Sequence, residues 1–180
     1  ISNELTPMVA TARLIKQEHP DASVVFIGPC ASKKLEASRR TVRSDVDFVI
    51  TFEELTGMFE AKGILLDEIK AMDEMKDATA AGRGYGVAGG VANAIKECIE
   101  KYYPGTSVNI QHAESLAECK KALLLAKAGK MNGCLIEGMA CPGGCIAGAG
   151  TNIAIPVAAR AVDKFKNEAE KKVPDESVDQ

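Results

Sequence analysis

No apolar run in this sequence approaches the roughly 20 residues that a bilayer-spanning helix needs, and no secretory-leader pattern opens it. Positive charge is not in excess. Lys and Arg number 22 against 25 Asp and Glu, for a net charge of −3, which argues against a general nucleic-acid binder. No internal repeat is found. The composition is not that of a small disulfide scaffold, so the six cysteines suit buried thiols or metal in a reducing compartment. The expected location is the cytoplasm, with neither a membrane nor a nucleic-acid partner. What remains is an apolar fraction of 46% over 180 residues, enough for one domain with a real core. The first residue is Ile rather than Met, which sets the expectation of a fragment of a longer or processed protein.

The stretch Glu137 to Gly150, EGMACPGGCIAGAG, carries the most chemistry. Cys141 and Cys145 stand four positions apart among Gly143, Gly144, Gly148 and Gly150, with Met139 just before them. Thiolates ligate soft metals, and glycines let the main chain approach an inorganic core closely. The Cys-x3-Cys spacing is not the Cys-x2-Cys of zinc ribbons or bacterial ferredoxins. The alternative is that both cysteines are small buried hydrophobes in a Gly-rich turn.

A second stretch, Ile27 to Arg39, reads IGPCASKKLEASR. It puts Cys30 at the end of an apolar run, where open α/β sheets bind their ligands. Cys141 and Cys145 follow another apolar run, Cys134 to Ile136, so three cysteines after two strands can converge on one site. Cys98 and Cys119, in helical patterns, and Cys134, in a strand, read as core fillers.

With these residues the chain resembles the iron-only hydrogenase large subunit. That family carries Pro-Cys-x-x-Lys-Lys-x-Glu, which stands here as Pro29 to Glu36. It also carries Glu-x-Met-Ala-Cys-x-Gly-Gly-Cys-x-x-Gly-Gly-Gly, which stands here as Glu137 to Gly150 with Ala149 in place of one Gly. The resemblance runs from Ile1 to about Thr151. It implies a cubane 4Fe-4S cluster linked through one cysteine to a di-iron subcluster with CO and cyanide. By that resemblance Cys30, Cys141 and Cys145 are metal ligands, with Cys145 bridging to the di-iron unit. Lys33 meets a cyanide, Met139 packs against the di-iron unit, and Pro29 lies beside the cofactor. The family's Phe-Gly-Ala-Thr-Gly-Gly-Val stretch has its counterpart in Tyr85 to Val91, which makes Tyr85 and Gly86 candidate cavity lining. The implied chemistry is reversible hydrogen formation from protons and electrons, with ferredoxin or linked iron–sulfur domains as electron partners.

The order of elements predicts an α/β fold with a parallel sheet of about four strands and helices on both faces. The resemblance makes it one lobe of a two-lobed fold, with the N-terminal lobe of the same parent chain as partner. Helices are expected over Glu4–Glu18, Phe52–Lys62, from after Gly90 to about Tyr102, Ser115–Ala128 and Ile155–Lys172. Strands are expected over Ser23–Ile27, Asp47–Thr51, Ser107–His112 and Cys134–Glu137. Ala31–Arg43 reads as a loop or short helix, Leu65–Ala71 as a short helical or irregular segment, and Ala71–Ala81 as an exposed connection. Thr51 with Glu54 has the capping-box spacing. The helices are expected to bury Met8, Ala12, Leu14 and Ile15; Leu116, Cys119, Leu123 and Leu124; and Val157, Ala161, Val162 and Phe165. Gly84 to Gly89 matches G-x-G-x-x-G, but no clear strand precedes it, so a phosphate cradle is weakly indicated. His19 reads as a solvated turn residue and His112 as a polar strand end. The hydrogenase-like domain is expected over 1–172, with a disordered acidic tail over 173–180.

Three positions depart from the family's best-known catalysts: Gly28 for Met, Met8 for Gln, and Tyr85 for Phe. Such changes resemble a sensory branch, in which a hydrogenase domain reports hydrogen to a signalling module. An upstream motif that supplies a further cluster ligand is absent, so this chain alone is expected to hold no complete cofactor and to be inactive. Two rivals are an iron–sulfur assembly or electron-transfer protein without hydrogen chemistry, as in the nuclear-prelamin-recognition-like relatives, and a structural zinc site on the same thiolates.

Overall fold

A computed structural model describes residues 2–70 and 76–173. The acidic tail after Val173 and part of the expected connection over 71–81 lie outside the described residues. Where one domain is expected, the chain divides into two compact units. Unit one comprises Ile1–Ile69 with Gly148–Asn152, and unit two comprises Lys70–Ala147 with Ile153–Gln180.

Unit one begins with α1 (Pro7–Glu18), where Pro7 opens the first turn after Thr6. β1 (Val25–Ile27), α2 (Ser32–Ser38), β2 (Phe48–Ile50) and α3 (Phe52–Ala61) follow. A single 3-10 turn at Leu66–Glu68 stands where a short helical segment is expected. β1 and β2 pair in parallel, with Val25 beside Phe48 and Ile27 beside Ile50. Met8, Val9, Ala12 and Val46 form the core, with Phe26 and Val49 packed against it. The buried face of α1 is therefore set by positions 8, 9 and 12. Leu14, expected on that face, is exposed because it lies two positions past Ala12 around the helix. The predicted capping box is present: the Glu54 N–H donates to Thr51 Oγ1 at 3.2 Å, and the Thr51 N–H donates to Glu54 Oε2 at 2.8 Å.

Unit two contains α4 (Ala80–Arg83), a 3-10 turn at Gly84–Gly86, α5 (Gly90–Tyr102) and β3 (Asn109–Glu114). It continues with α6 (Leu116–Lys127), β4 (Cys134–Met139), a 3-10 turn at Cys145–Ala147 and α7 (Ile155–Asn167). β3 and β4 pair in parallel from Asn109 beside Cys134 to Glu114 beside Met139, with α6 as the crossover. The predicted apolar face of α6 is split: Leu116, Leu123 and Leu124 are exposed, Cys119 is half-buried against the strands, and Ala122, outside the predicted face, is buried. Close approach explains the choice. Cys119 Sγ lies against Gly138 of β4, where an added Cβ would come within 3.1 Å of the sulfur. Its thiol reaches the Ala113 carbonyl at 3.6 Å and the Met139 carbonyl at 3.8 Å, so small residues seat the helix on the strands.

α7 stops at Asn167, short of Lys172. It buries Ala158 rather than Val157 or Phe165, and the Phe165 ring lies 4.1 Å beneath the Arg83 guanidinium. Val173 is buried, so packing reaches one residue past the expected end of the domain. The class is α/β, with four strands that pair in parallel. Among the described residues they form two two-stranded ladders rather than one sheet.

Candidate functional site

In unit one, Gly28, Pro29 and Cys30 continue from the end of β1. The Gly28 N–H donates to the Ile50 carbonyl at 3.1 Å, which extends the ladder by one bond. An added Cβ on Gly28 would come within 2.9 Å of the Phe26 ring, so Phe26 already fills the space a longer side chain at 28 would need. The Pro29 carbonyl accepts from the Gly150 N–H at 3.0 Å, and the Gly150 carbonyl accepts from Glu53 in the first turn of α3 at 3.1 Å. The Cys30 carbonyl accepts from the Lys33 N–H at 3.3 Å, which starts α2 and leaves the thiol half-buried. The Lys33 ammonium is engaged by Glu36 Oε2 at 2.6 Å, and Glu36 Oε1 accepts from Thr6 Oγ1 at 2.5 Å. Burial pushes the Glu36 carboxyl up, but the bonds from Lys33 and Thr6 outweigh it and hold the pKa below the ordinary carboxylate value.

In unit two, β4 delivers Met139, Cys141 and Cys145. Met139 and Cys141 are half-buried, and Cys145 is exposed. The turn between the cysteines closes with the Gly144 N–H on the Cys141 carbonyl at 3.0 Å. Gly143 (φ 94°) and Gly144 (φ 92°) both take the backbone conformation that side chains disfavour. The Ala88 N–H donates to the Gly143 carbonyl at 3.1 Å, and a Cβ on Gly144 would overlap the Ala88 nitrogen. The glycine turn containing Gly86 and the cysteine turn thus meet backbone to backbone. On the far side, the Gly143 N–H donates to Glu114 Oε2 at 3.0 Å.

Tyr85, from the same glycine turn, lines an apolar cleft of about 210 Å3 along α5 with Ile95, Cys98, Ile99 and Tyr102. Burial, and then the neighbouring Cys98, raise its phenol above the usual value. The start of α5 is no phosphate cradle. Its N–H groups are taken by Glu137, whose Oε1 accepts from Val91 at 3.0 Å and Ala92 at 3.1 Å, and whose Oε2 accepts from Gly89 at 2.5 Å. His112, the register partner of Glu137, sets Nδ1 3.3 Å from Oε2.

The candidate residues therefore gather in two groups: Pro29, Cys30 and Lys33 in unit one, and Tyr85, Gly86, Met139, Cys141 and Cys145 in unit two. Sequence reasoning misses the engagement of Glu137, His112, Glu114 and Glu36. Glu137 does carry a signal, as a lone charge within the apolar strand Cys134–Met139, because a buried charge must find partners. Which partners it finds depends on the strand register, which no local pattern shows.

None of the six cysteines forms a disulfide. Among the described residues, no three His, Cys, Asp or Glu side chains are grouped to hold a metal ion. One thiol in unit one and two in unit two fall short of the four ligands of a closed zinc site and equally of the four cysteines of a 4Fe-4S cubane. Thiols held on a tight glycine turn are the donor type that an iron–sulfur cluster takes, since cysteine is its usual ligand.

Residues 1–149 match the family described as the iron-only hydrogenase large subunit, C-terminal domain, and the chain belongs to that family. Its fold resembles an FeFe-hydrogenase structure concerned with oxygen inactivation through degradation of the H-cluster 2Fe subcluster. The TM-score is 0.67 and the identity 21%, over 95% of this chain and 60% of that one. It also resembles a variant of the apo FeFe-hydrogenase HydA1 from Chlamydomonas reinhardtii, with TM-score 0.62 and 20% identity over 92% of this chain and 59% of that one. A stretch of 53 residues is 43% identical to the cytosolic Fe-S cluster assembly factor NAR1 of Kluyveromyces lactis. That match covers 29% of this chain and 11% of the assembly factor. The chain spans about 60% of the solved hydrogenase chains. No helix among the described residues is long and apolar enough to cross a membrane.

Proposed function

We propose that this chain is the cofactor-holding part of a hydrogenase-like protein, with Cys30, Cys141 and Cys145 as ligands of a cubane 4Fe-4S cluster. A cubane joined to a di-iron subcluster with CO and cyanide would supply reversible proton reduction, as a catalyst or as a hydrogen sensor. The observation that carries this reading is the cysteine turn. Two thiols flank consecutive glycines at positive φ, whose missing side chains let the turn pack tightly against the 86–88 backbone and Ile155 and so hold both thiols at one strand end. Cys30 supplies the third thiolate and Pro29 shapes the turn that presents it. Lys33 offers the cation for an anionic cofactor ligand, and its pairing with Glu36 aims that cation before any ligand arrives. Met139 supplies a soft apolar contact, and Tyr85 and Gly86 line the site on the glycine-turn side. The electron partner in this reading is ferredoxin or a linked iron–sulfur domain, and the N-terminal lobe of a longer parent chain completes the site.

The stretch shared with NAR1 favours a second reading, in which the domain serves iron–sulfur assembly or electron transfer without hydrogen chemistry. Infrared spectroscopy on the parent protein, matured with hydrogenase maturation machinery, separates the two. CO and cyanide stretches that shift under hydrogen are the expected result. Iron–sulfur absorbance without those bands would overturn the hydrogen reading and leave the assembly role.

A further inference from the structure

Glu137 is a buried carboxylate, 8% exposed, in the middle of a strand. Neither oxygen faces water alone. Three backbone N–H groups at the start of α5 and one His112 nitrogen engage them. The first turn of a helix carries unsatisfied donors and a positive partial charge, and is an anion site by construction. Here the chain fills that site with its own carboxylate, carried by β4 four residues before Cys141. The glycine turn 86–90 is consequently tied to the cysteine strand at Glu137. A second tie lies beyond it, where the Ala88 N–H meets the Gly143 carbonyl. Two ties at different points fix the turn in both position and tilt.

We infer that Glu137 is a positioning residue: a carboxylate clamp that fills the N-terminus of α5 and so holds the glycine turn against the Cys141–Cys145 turn. It acts through the backbone N–H groups of Gly89, Val91 and Ala92. The importance of the clamp to a cofactor rests on the cysteines being cluster ligands; the clamp itself does not. Removing the carboxylate leaves the N–H groups of Gly89, Val91 and Ala92 around a hole the size of a small carboxylate. Removing only its charge, as in Glu137→Gln, leaves an amide that cannot accept with both ends.

The test compares the protein with its Glu137→Ala and Glu137→Gln variants. Thiol labelling, mapped to each cysteine by mass spectrometry, reads the turn without any metal. In Glu137→Ala, labelling of Cys141 and Cys145 should change at least about threefold, while Cys98, Cys119 and Cys134 stay near the parent rates. Formate at constant ionic strength should restore the parent rates in Glu137→Ala alone, because it refills the hole. Equal changes at all five thiols, or no recovery with formate, would reduce Glu137 to general fold support and overturn the inference. Should Glu137→Ala not fold, Glu137→Gln decides: a selective change at Cys141 and Cys145 supports the clamp, and unchanged labelling refutes it. Iron and sulfide bound after anaerobic reconstitution of the same proteins form a separate arm. Iron-free protein with formate-restored labelling in the variant would leave the clamp standing by itself, while the cluster reading is overturned by the infrared experiment on the longer protein.

Discussion

A methyl group at position 144 would overlap the Ala88 nitrogen and sit 2.7 Å from the Gly86 carbonyl, on a backbone already at φ 92°. Gly144→Ala therefore combines a steric clash with a disfavoured conformation, and should cost about 2–3 kcal/mol by denaturant unfolding. Position 149 shows the opposite case. Ala149 is exposed and has no positive φ, so the one departure from the family's glycine run strains nothing. Ala149→Gly should cost only about 0.5–1 kcal/mol, through unfolded-chain entropy. Glu36 gives a pH signature. Its folded pKa is lowered, so its contribution is complete above the unfolded value and is lost as pH falls through the folded one. Glu36→Gln should accordingly lower the thermal midpoint at pH 7, and the two midpoint curves should converge as pH falls through the folded pKa, below the ordinary glutamate range. Tyr85, raised by burial, should ionise above the ordinary phenol range, and Tyr85→Phe should remove that component from an absorbance titration at alkaline pH.

At the level of elements, helix starts are legible in the sequence where a cap chemistry marks them. Thr51 and Glu54 read as a capping box, and both of its hydrogen bonds are present. Thr51→Ala should cost about 1 kcal/mol, with Thr51→Ser recovering most of it, measured by thermal or denaturant unfolding. Pro7 and Pro156 likewise open α1 and α7. The faces of the helices are less legible. Leu116, Cys119, Leu123 and Leu124 read as the apolar stripe of α6, yet of these it is Cys119 that meets the strands, and Ala122 is buried in place of the leucines. A crossover helix must approach its strands closely at Gly138, and only small side chains allow that. Hydrophobic periodicity reports that a face exists, not which neighbour selects it. His112 shows the same limit. It reads as a polar strand end, but strand register sets it beside Glu137.

At the scale of the whole molecule, the buried apolar residues are mostly alanines, and Val9 is the largest side chain fully buried among the described residues. Large apolar side chains stand outside: Val25, Ile27 and Phe48 share one face of the β1–β2 ladder and are all exposed. Parallel ladders are ordinarily covered on both faces, and Phe26 and Val49 account for the covered one. The 180-residue chain should bind a hydrophobic dye such as ANS. Replacing Val25 and Phe48 by Thr and Lys should lower that fluorescence at least about twofold, while changing unfolding free energy by less than about 0.5 kcal/mol.

Two cysteine motifs, a capping box and alternating apolar runs suffice to establish the family and the α/β class, because each is a local pattern with a local physical meaning. Register and close approach are decided only in three dimensions. The strands pair as two ladders, alanines rather than leucines go inside, and Glu137 turns into the start of α5 instead of leaving an open phosphate cradle. A buried carboxylate needs donors, and only the folded chain determines whose backbone supplies them.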